Sequence, residues 1–194
     1  QLGDGNLLSN LTKKTVVYNF RENDLKNGGE GAPLTPIFHK MLAKKFNMKP
    51  VSFFNIGGIL NSTTIWHDGE LTATDQGPGM CLIDRWIRTK SKKKYDKNGN
   101  IAKSGKVNEI VLEKYMNNNL LSNSGRKSYD INDFSILNFK DLSLNDGAAT
   151  LTLYTANLFH AFFEGNKSLK TKEKTILCGG GRKNKFLVNI IKSW

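Results

Sequence analysis

The stretch spanning residues 51–90 constrains the fold most, because its apolar period changes within a few turns of chain. Val51-Ser-Phe-Phe-Asn-Ile56 and Ile59-Leu-Asn-Ser-Thr-Thr-Ile-Trp66 are rich in β-branched and aromatic residues and are separated only by Gly57-Gly58. Two such runs joined by a glycine pair read as a β-hairpin. Asp68-Gly69 supplies a second turn, and Glu70 to Thr74 a third short strand. After Gly77-Pro78-Gly79 the period becomes helical, with Met80, Ile83, Trp86 and Ile87 on one stripe. Three consecutive antiparallel strands running straight into a helix are therefore expected.

Around this nucleus the pattern alternates. Thr15-Val-Val-Tyr-Asn-Phe20 reads as a buried strand. From Leu34 the apolar positions Leu34, Ile37, Phe38, Met41, Leu42 and Phe46 predict a helix with that face buried, with Pro33 or Pro36 in its first turn. Helices are expected over 107–116, over 146–164 with near-complete burial and a stop at Gly165, and over 184–192. Lys174-Thr-Ile-Leu-Cys178 is a short strand entering Gly179-Gly180-Gly181. The lysine-rich segment 91–100 reads as a solvated loop, and the Asn- and Ser-rich segment 117–145 as a peripheral lobe. No internal repeat is present, and the class is α/β.

The chain has 194 residues, enough for a full hydrophobic core. No apolar run approaches the ~18 residues of a membrane span. Cys81 and Cys178 belong to no metal-type spacing and read as free thiols of a cytosolic protein. The formal charge of +12 admits a polyanion-binding reading. Its carriers are mostly Lys, and a solvated lysine surface is the reading adopted. His39, His67 and His160 share no spacing that suits a metal or a triad and are read as structural, and no metal ligands are assigned.

Three glycine-bearing segments can carry chemistry. Asn55-Ile-Gly-Gly58 brings bare backbone N–H groups to a strand turn, where a phosphate could approach closely; the alternative is an ordinary hairpin. Cys178-Gly-Gly-Gly181 lies between strand and helix and could seat a flat nucleoside, or be a simple turn. Asp75 stands before Gln76-Gly77-Pro78-Gly79 and a helix start, as a carboxylate able to take a proton beside an anion site, or as a plain cap. Asp84, Arg85 and Asp96 read as surface or structural residues. The three segments occur in the order that a phosphoryl-transfer cleft needs.

Together with other spaced blocks they resemble a family. Gln1-Leu-Gly-Asp4, Phe20-Arg21 with Asp24, Gly28-Gly29, Gly31-Ala-Pro-Leu34, Asn55-Ile-Gly-Gly-Ile59, Asp75 with Gly77-Pro-Gly79, Asp84 with Trp86, Tyr95-Asp96 with Gly99, Gly105, and Cys178-Gly-Gly-Gly181 with Asn184 closely resemble 1,6-anhydro-N-acetylmuramic acid kinase. The resemblance implies an actin/hexokinase-like (ribonuclease H-like) α/β domain with a mixed sheet, part of a preceding domain, and two domains closing on ATP and sugar. It implies ATP and Mg2+ as cofactors, opening of the 1,6-anhydro bridge, and phosphorylation at O6 to N-acetylmuramate 6-phosphate. This is cell-wall recycling in the bacterial cytoplasm, by an enzyme that is commonly a homodimer.

By the same resemblance Asp75 is the catalytic base. Asn55, Gly57, Gly58, Gly179, Gly180, Gly181 and Asn184 bind nucleotide, and Arg21, Asp24, Gly77 and Pro78 lie on the sugar side. Departures fall at Ser122-Asn-Ser-Gly-Arg-Lys127, at Asn19 where Asp is usual, and at Met80 where Asn is usual. Nothing here resembles the family's N-terminal Gly-Thr-Ser-x-Asp-Gly loop or its last strand and helix. Residues 1–48 are thus expected to be the end of a first domain with an interdomain segment, and 49–194 a nucleotide-binding domain short of its C-terminus, inactive alone. Another sugar or carboxylate kinase of the superfamily, a non-catalytic fragment, and a basic polyanion-binding protein are the alternatives.

Overall fold

Strands β1 (Val51–Ile56) and β2 (Ile59–Ile65) form the expected hairpin about Gly57-Gly58, and β3 (Leu71–Pro78) continues antiparallel to β2. A fourth strand, β4 (Lys174–Cys178), lies parallel to β1, so the sheet is mixed, in the order β3-β2-β1-β4. These assignments come from a computed structural model that describes residues 3–29, 31–117, 128–166 and 174–194. The Ser122–Lys127 block lies outside the described residues.

The period of two in β1 divides the interior. Phe54 and Ile56 point to the larger core, while Val51 and Phe53 join Ala43 and Ile65 in a smaller cluster on the opposite face. The larger core is covered by α4 (Cys81–Lys90), α5 (Asn100–Lys103), α6 (Glu109–Asn117), α7 (Leu144–Gly165) and α8 (Lys185–Lys192). α7 is the central rod. Ser143 caps it by accepting from the Asp146 N–H, and Phe159 and Phe162 set their rings 4.7 and 5.0 Å from that of Phe54. α4 buries Ile83, Trp86 and Ile87, the stripe its spacing predicts, and the Trp86 indole N–H donates to Leu144 O at 2.9 Å. This mixed α/β architecture is consistent with an actin/hexokinase-like kinase domain.

The smaller cluster is covered by α3 (Pro36–Lys45), where His39 stacks on Phe53 at 4.4 Å. Here the sequence expectation is corrected. α3 buries Pro36, His39 and Ala43, whereas the apolar stripe is turned outward, with Ile37 69% and Met41 62% exposed. Small Ala43 and flat His39 allow close approach to the sheet, and that approach selects the buried side.

The chain divides into two compact units, residues 1–35 and 36–194. The first holds α1 (Gly5–Thr12), capped by Asp4 through the Asn6 and Leu7 N–H groups, and α2 (Phe20–Lys26). The strand expected over residues 15–20 is absent: 15–19 are irregular and largely exposed, and Phe20 begins α2. A β-prone run becomes a strand only beside a partner, and no described strand pairs with this one.

Candidate active site

The β1–β2 turn is bonded to the start of α4 through backbone. Gly79 N–H and Cys81 N–H donate to Gly58 O at 2.9 and 3.2 Å, and Met80 N–H donates to Gly57 O at 2.8 Å. A Cβ on Gly79 would lie 2.4 Å from Gly57 O, so this approach requires glycine. The same closeness recurs after β4. Gly179 adopts φ +77°, and a Cβ there would fall 2.5 Å from Asn55 Oδ1 and 2.7 Å from Ile56 O. One on Gly181 would fall 2.3 Å from Ile56 Cγ2, whereas Gly180 faces open space.

Parallel pairing of Asn55 with Cys178 thus brings the two glycine turns to one end of the sheet. Between them opens a cavity of about 520 Å3, to which Gly57, Gly58, Gly180 and Gly181 contribute backbone and Ile56 and Met80 an apolar floor. Asn55 and Gly179 lie against each other but are not among the residues that line it. The size suits a small ligand or cofactor. Asn184 also lines it; its Oδ1 caps α8 by accepting from the Leu187 N–H at 3.0 Å, and its Nδ2 is buried with no partner. Asp84 brings a second orphan, a buried Oδ1 without a hydrogen bond, and burial raises its carboxyl pKa above the ordinary range.

Another wall is Tyr95, Lys97 and Asn98, from the segment expected to be a solvated loop, with Lys183 completing the rim. Lys92, Lys93 and Lys94 are indeed exposed. Asp96, however, is only 3% exposed and accepts from the Ile101 and Ala102 N–H groups, both at 2.9 Å, which pins the segment to α5. The cavity thus offers backbone groups, two lysine ammonium groups, two side-chain amides and one carboxylate, a donor-rich set for a phosphorylated ligand.

Asp75 is on β3, opposite Asn61. The next pair is Gly77 with Leu60, so Gln76 is the extra residue of a bulge, a device that re-aims neighbouring side chains. Gln76 Nε2 donates to Ser62 Oγ at 2.9 Å, while Asp75 Oδ2 accepts from the Tyr129 N–H at 2.9 Å. Gly77 and Pro78 are buried in the last β3 pairs, between Asp75 and the glycine turn. Arg21 and Asp24 belong to the first unit, where both engage the backbone of one residue: Arg21 Nη1 donates to Gly31 O, and Gly31 N–H donates to Asp24 Oδ2 at 2.7 Å.

A family model described as "Anhydro-N-acetylmuramic acid kinase" matches residues 1–194. The chain belongs to the anhydro-N-acetylmuramic acid kinase family. Proteins of that name from Pelagibacter ubique, Rhizobium johnstonii and Brucella canis are 44%, 41% and 39% identical to it, over 99%, 97% and 97% of this chain. The chain spans about half the length of these relatives, 53%, 50% and 51% respectively.

Of the residues singled out in the sequence, Gly57, Gly58, Gly180, Gly181 and Asn184 line this cavity and Asp75 does not, and no cavity role was assigned to Met80, Asp84, Tyr95, Lys97, Asn98 or Lys183. Two of these carried a signal: Asp84 and Tyr95 belong to blocks on which the family resemblance rests. Met80 is brought in by its N–H bond to Gly57 O, and Lys97, Asn98 and Lys183 become neighbours only when the 91–100 segment folds onto α8. Gly99 marks that contact, since a Cβ there would lie 2.2 Å from Asn184 Oδ1.

Proposed function

We propose that the protein carrying this chain is an ATP-dependent kinase that opens the anhydro bridge of 1,6-anhydro-N-acetylmuramic acid and phosphorylates O6, with these residues supplying the nucleotide half of the cleft and the base. The observation that carries the reading is the convergence of both glycine turns on one donor-rich cavity, beside a strand whose bulge presents Asp75, in a chain matched throughout by this family. ATP fits the cavity by size and donors. Its phosphates would lie against Gly57 and Gly58, and its nucleoside by Gly180, Gly181 and Asn184, with Asn55 and Gly179 supporting both turns.

Asp75 takes a proton from water, the oxygen of which bonds to the anomeric carbon. The C1–O6 bond breaks and O6 attacks the γ-phosphorus, displacing ADP. Such transfer depends mainly on positioning and charge stabilisation, which backbone donors and lysines supply. Mg2+ also fits: a nucleotide-bound Mg2+ needs only one or two carboxylates besides phosphates and waters, and Asp84 is the carboxylate lining this cavity, with an unsatisfied oxygen. When bound, Mg2+ would neutralise phosphate charge. Gly77, Pro78, Arg21 and Asp24 are assigned to the sugar side, Arg21 toward the lactyl carboxylate.

The enzyme is read as a cytoplasmic homodimer acting in murein recycling; no helix among the described residues is long and apolar enough to cross a membrane. The test is ADP release by the full-length gene product. It is expected only with the anhydro sugar present and is abolished by Asp75→Asn. Sugar-independent turnover, or an active Asn variant, would sink the reading.

A further inference from the structure

Asp75 is held by a part of the chain far from its own strand. The Tyr129 N–H that donates to its Oδ2 opens an irregular stretch, residues 129–134. A single 3-10 turn, Ile131–Asp133, shapes that stretch and is closed by a capping box: Asp130 Oδ1 accepts from the Asn132 N–H at 2.9 Å, and Asp133 Oδ2 accepts from the Asp130 N–H at 2.8 Å. The stretch also covers the phosphate turn, because a Cβ on Gly58 would lie 3.3 Å from Ile131 Cγ2. One short segment therefore touches both the base and the glycine pair.

Arg85 fastens this segment to α4. Its Nη2 donates to Ile131 O at 3.0 Å and its Nη1 to Phe134 O at 2.6 Å, gripping both ends of the turn. α4 is in turn bonded through its first residues to Gly57 and Gly58. A planar guanidinium meets two carbonyls at fixed separation; a lysine ammonium is a single point and cannot reproduce the fork.

We propose that Arg85 is a positioning residue for Asp75: by clamping Ile131 O and Phe134 O it holds the Tyr129 N–H against the carboxylate and so keeps the base ionised and aimed. A hydrogen bond donated to a carboxylate favours its charged form, so loosening the segment makes Asp75 a weaker acid and a less available base. The proposal rests on the kinase reading only for the identity of the base.

The experiment uses the full-length gene product with Arg85→Lys, which keeps the charge and loses the fork, and Arg85→Gln. Two readouts are taken. In the pH profile of kcat/KM for the anhydro sugar, both variants are expected to move the acidic limb upward by about one pH unit, the scale of one lost hydrogen bond to a carboxylate. The same variants are expected to lower the plateau about tenfold. In hydrogen exchange, the peptide covering 128–134 is expected to lose protection at least about tenfold while β1 and β2 keep theirs.

An unmoved acidic limb in an active wild-type background overturns the proposal. So does a wild-type limb in Arg85→Lys, which assigns the effect to charge. Loss of protection in β1 and β2 as well shows that Arg85 supports the whole unit, and also overturns it. If the wild type shows no sugar-dependent ADP release, the kinase reading fails, while exchange at 128–134 still decides whether Arg85 holds the segment.

Discussion

Asp84 and Asn184 each carry a buried polar atom that the protein leaves unsatisfied, one an acceptor and one a donor, on the same cavity. Such atoms cost stability unless a ligand completes them. Asp84→Asn is expected to weaken binding of Mg-ADP about tenfold, roughly 1.4 kcal/mol, and to change metal-free ADP affinity less than about twofold; calorimetric titration with and without Mg2+ checks this. The glycines give a sharper contrast. Gly181→Ala must displace Ile56, and should cost about 1–3 kcal/mol by overpacking in urea unfolding. Gly180→Ala meets open space and should unfold like the wild type while weakening ADP binding. Both glycines were visible in the sequence, but their opposite tolerance was not. It depends on Asn55 pairing with Cys178 at the end of β4 and on Ile56 lying against Gly181, a tertiary fact that no spacing encodes.

At the scale of elements, α4 and α3 show where hydrophobic period succeeds and where it stops. In both it announced a helix with an apolar stripe. α4 buries that stripe because α7 and the sheet cover it; α3 meets the sheet through Pro36, His39 and Ala43 instead. Periodicity reports that a face is apolar, not which neighbour arrives. Residues 15–20 fail for the related reason that a strand is a property of pairs. In the 91–100 segment Lys92, Lys93 and Lys94 are exposed as a solvated loop requires, while one buried carboxylate, Asp96, holds the rest against α5. Asp96→Ala leaves the Ile101 and Ala102 N–H groups without their acceptor and should cost about 1–3 kcal/mol. It should also lower ADP affinity, since Tyr95, Lys97 and Asn98 lose their anchor; unfolding and titration of one preparation test both.

The start of α4 makes a pH prediction. Burial pushes the Cys81 thiol up to about 11, so the folded protein keeps a proton that the unfolded chain releases near pH 9. The unfolded state then binds fewer protons, and stability falls as pH rises from about 9 to about 11. Below pH 9 both states hold the proton and the contribution is flat. Urea midpoints measured from pH 7 to 11 should decline over that window, and the decline should be shallower in Cys81→Ala. Tyr115, pushed up to about 12 mainly by burial, acts in the same direction at still higher pH.

For the molecule as a whole, the decisive fact is where the apolar interior lies. Among the described residues, the two hydrophobic clusters run from Leu42 to Ile191, within the second unit. The first unit exposes Leu7, Leu11, Val17, Phe20 and Leu25 and is organised by caps and by the hydrogen bonds that Arg21 and Asp24 make to Gly31. Since burial of apolar surface is the main favourable contribution to folding, residues 36–194 should carry nearly all the stability of the chain. A protein beginning at Pro36 is expected to unfold in a single cooperative transition, with Tm within about 3 °C of the 194-residue chain, less than about 1 kcal/mol for a domain of this size. Brief trypsin treatment should cut the first unit at Lys13, Lys14, Arg21 or Lys26 well before β1 to β3 are touched. A large loss of Tm on removing residues 1–35, or simultaneous cleavage throughout, would show that the first unit is part of the cooperative core, against the distribution of buried side chains.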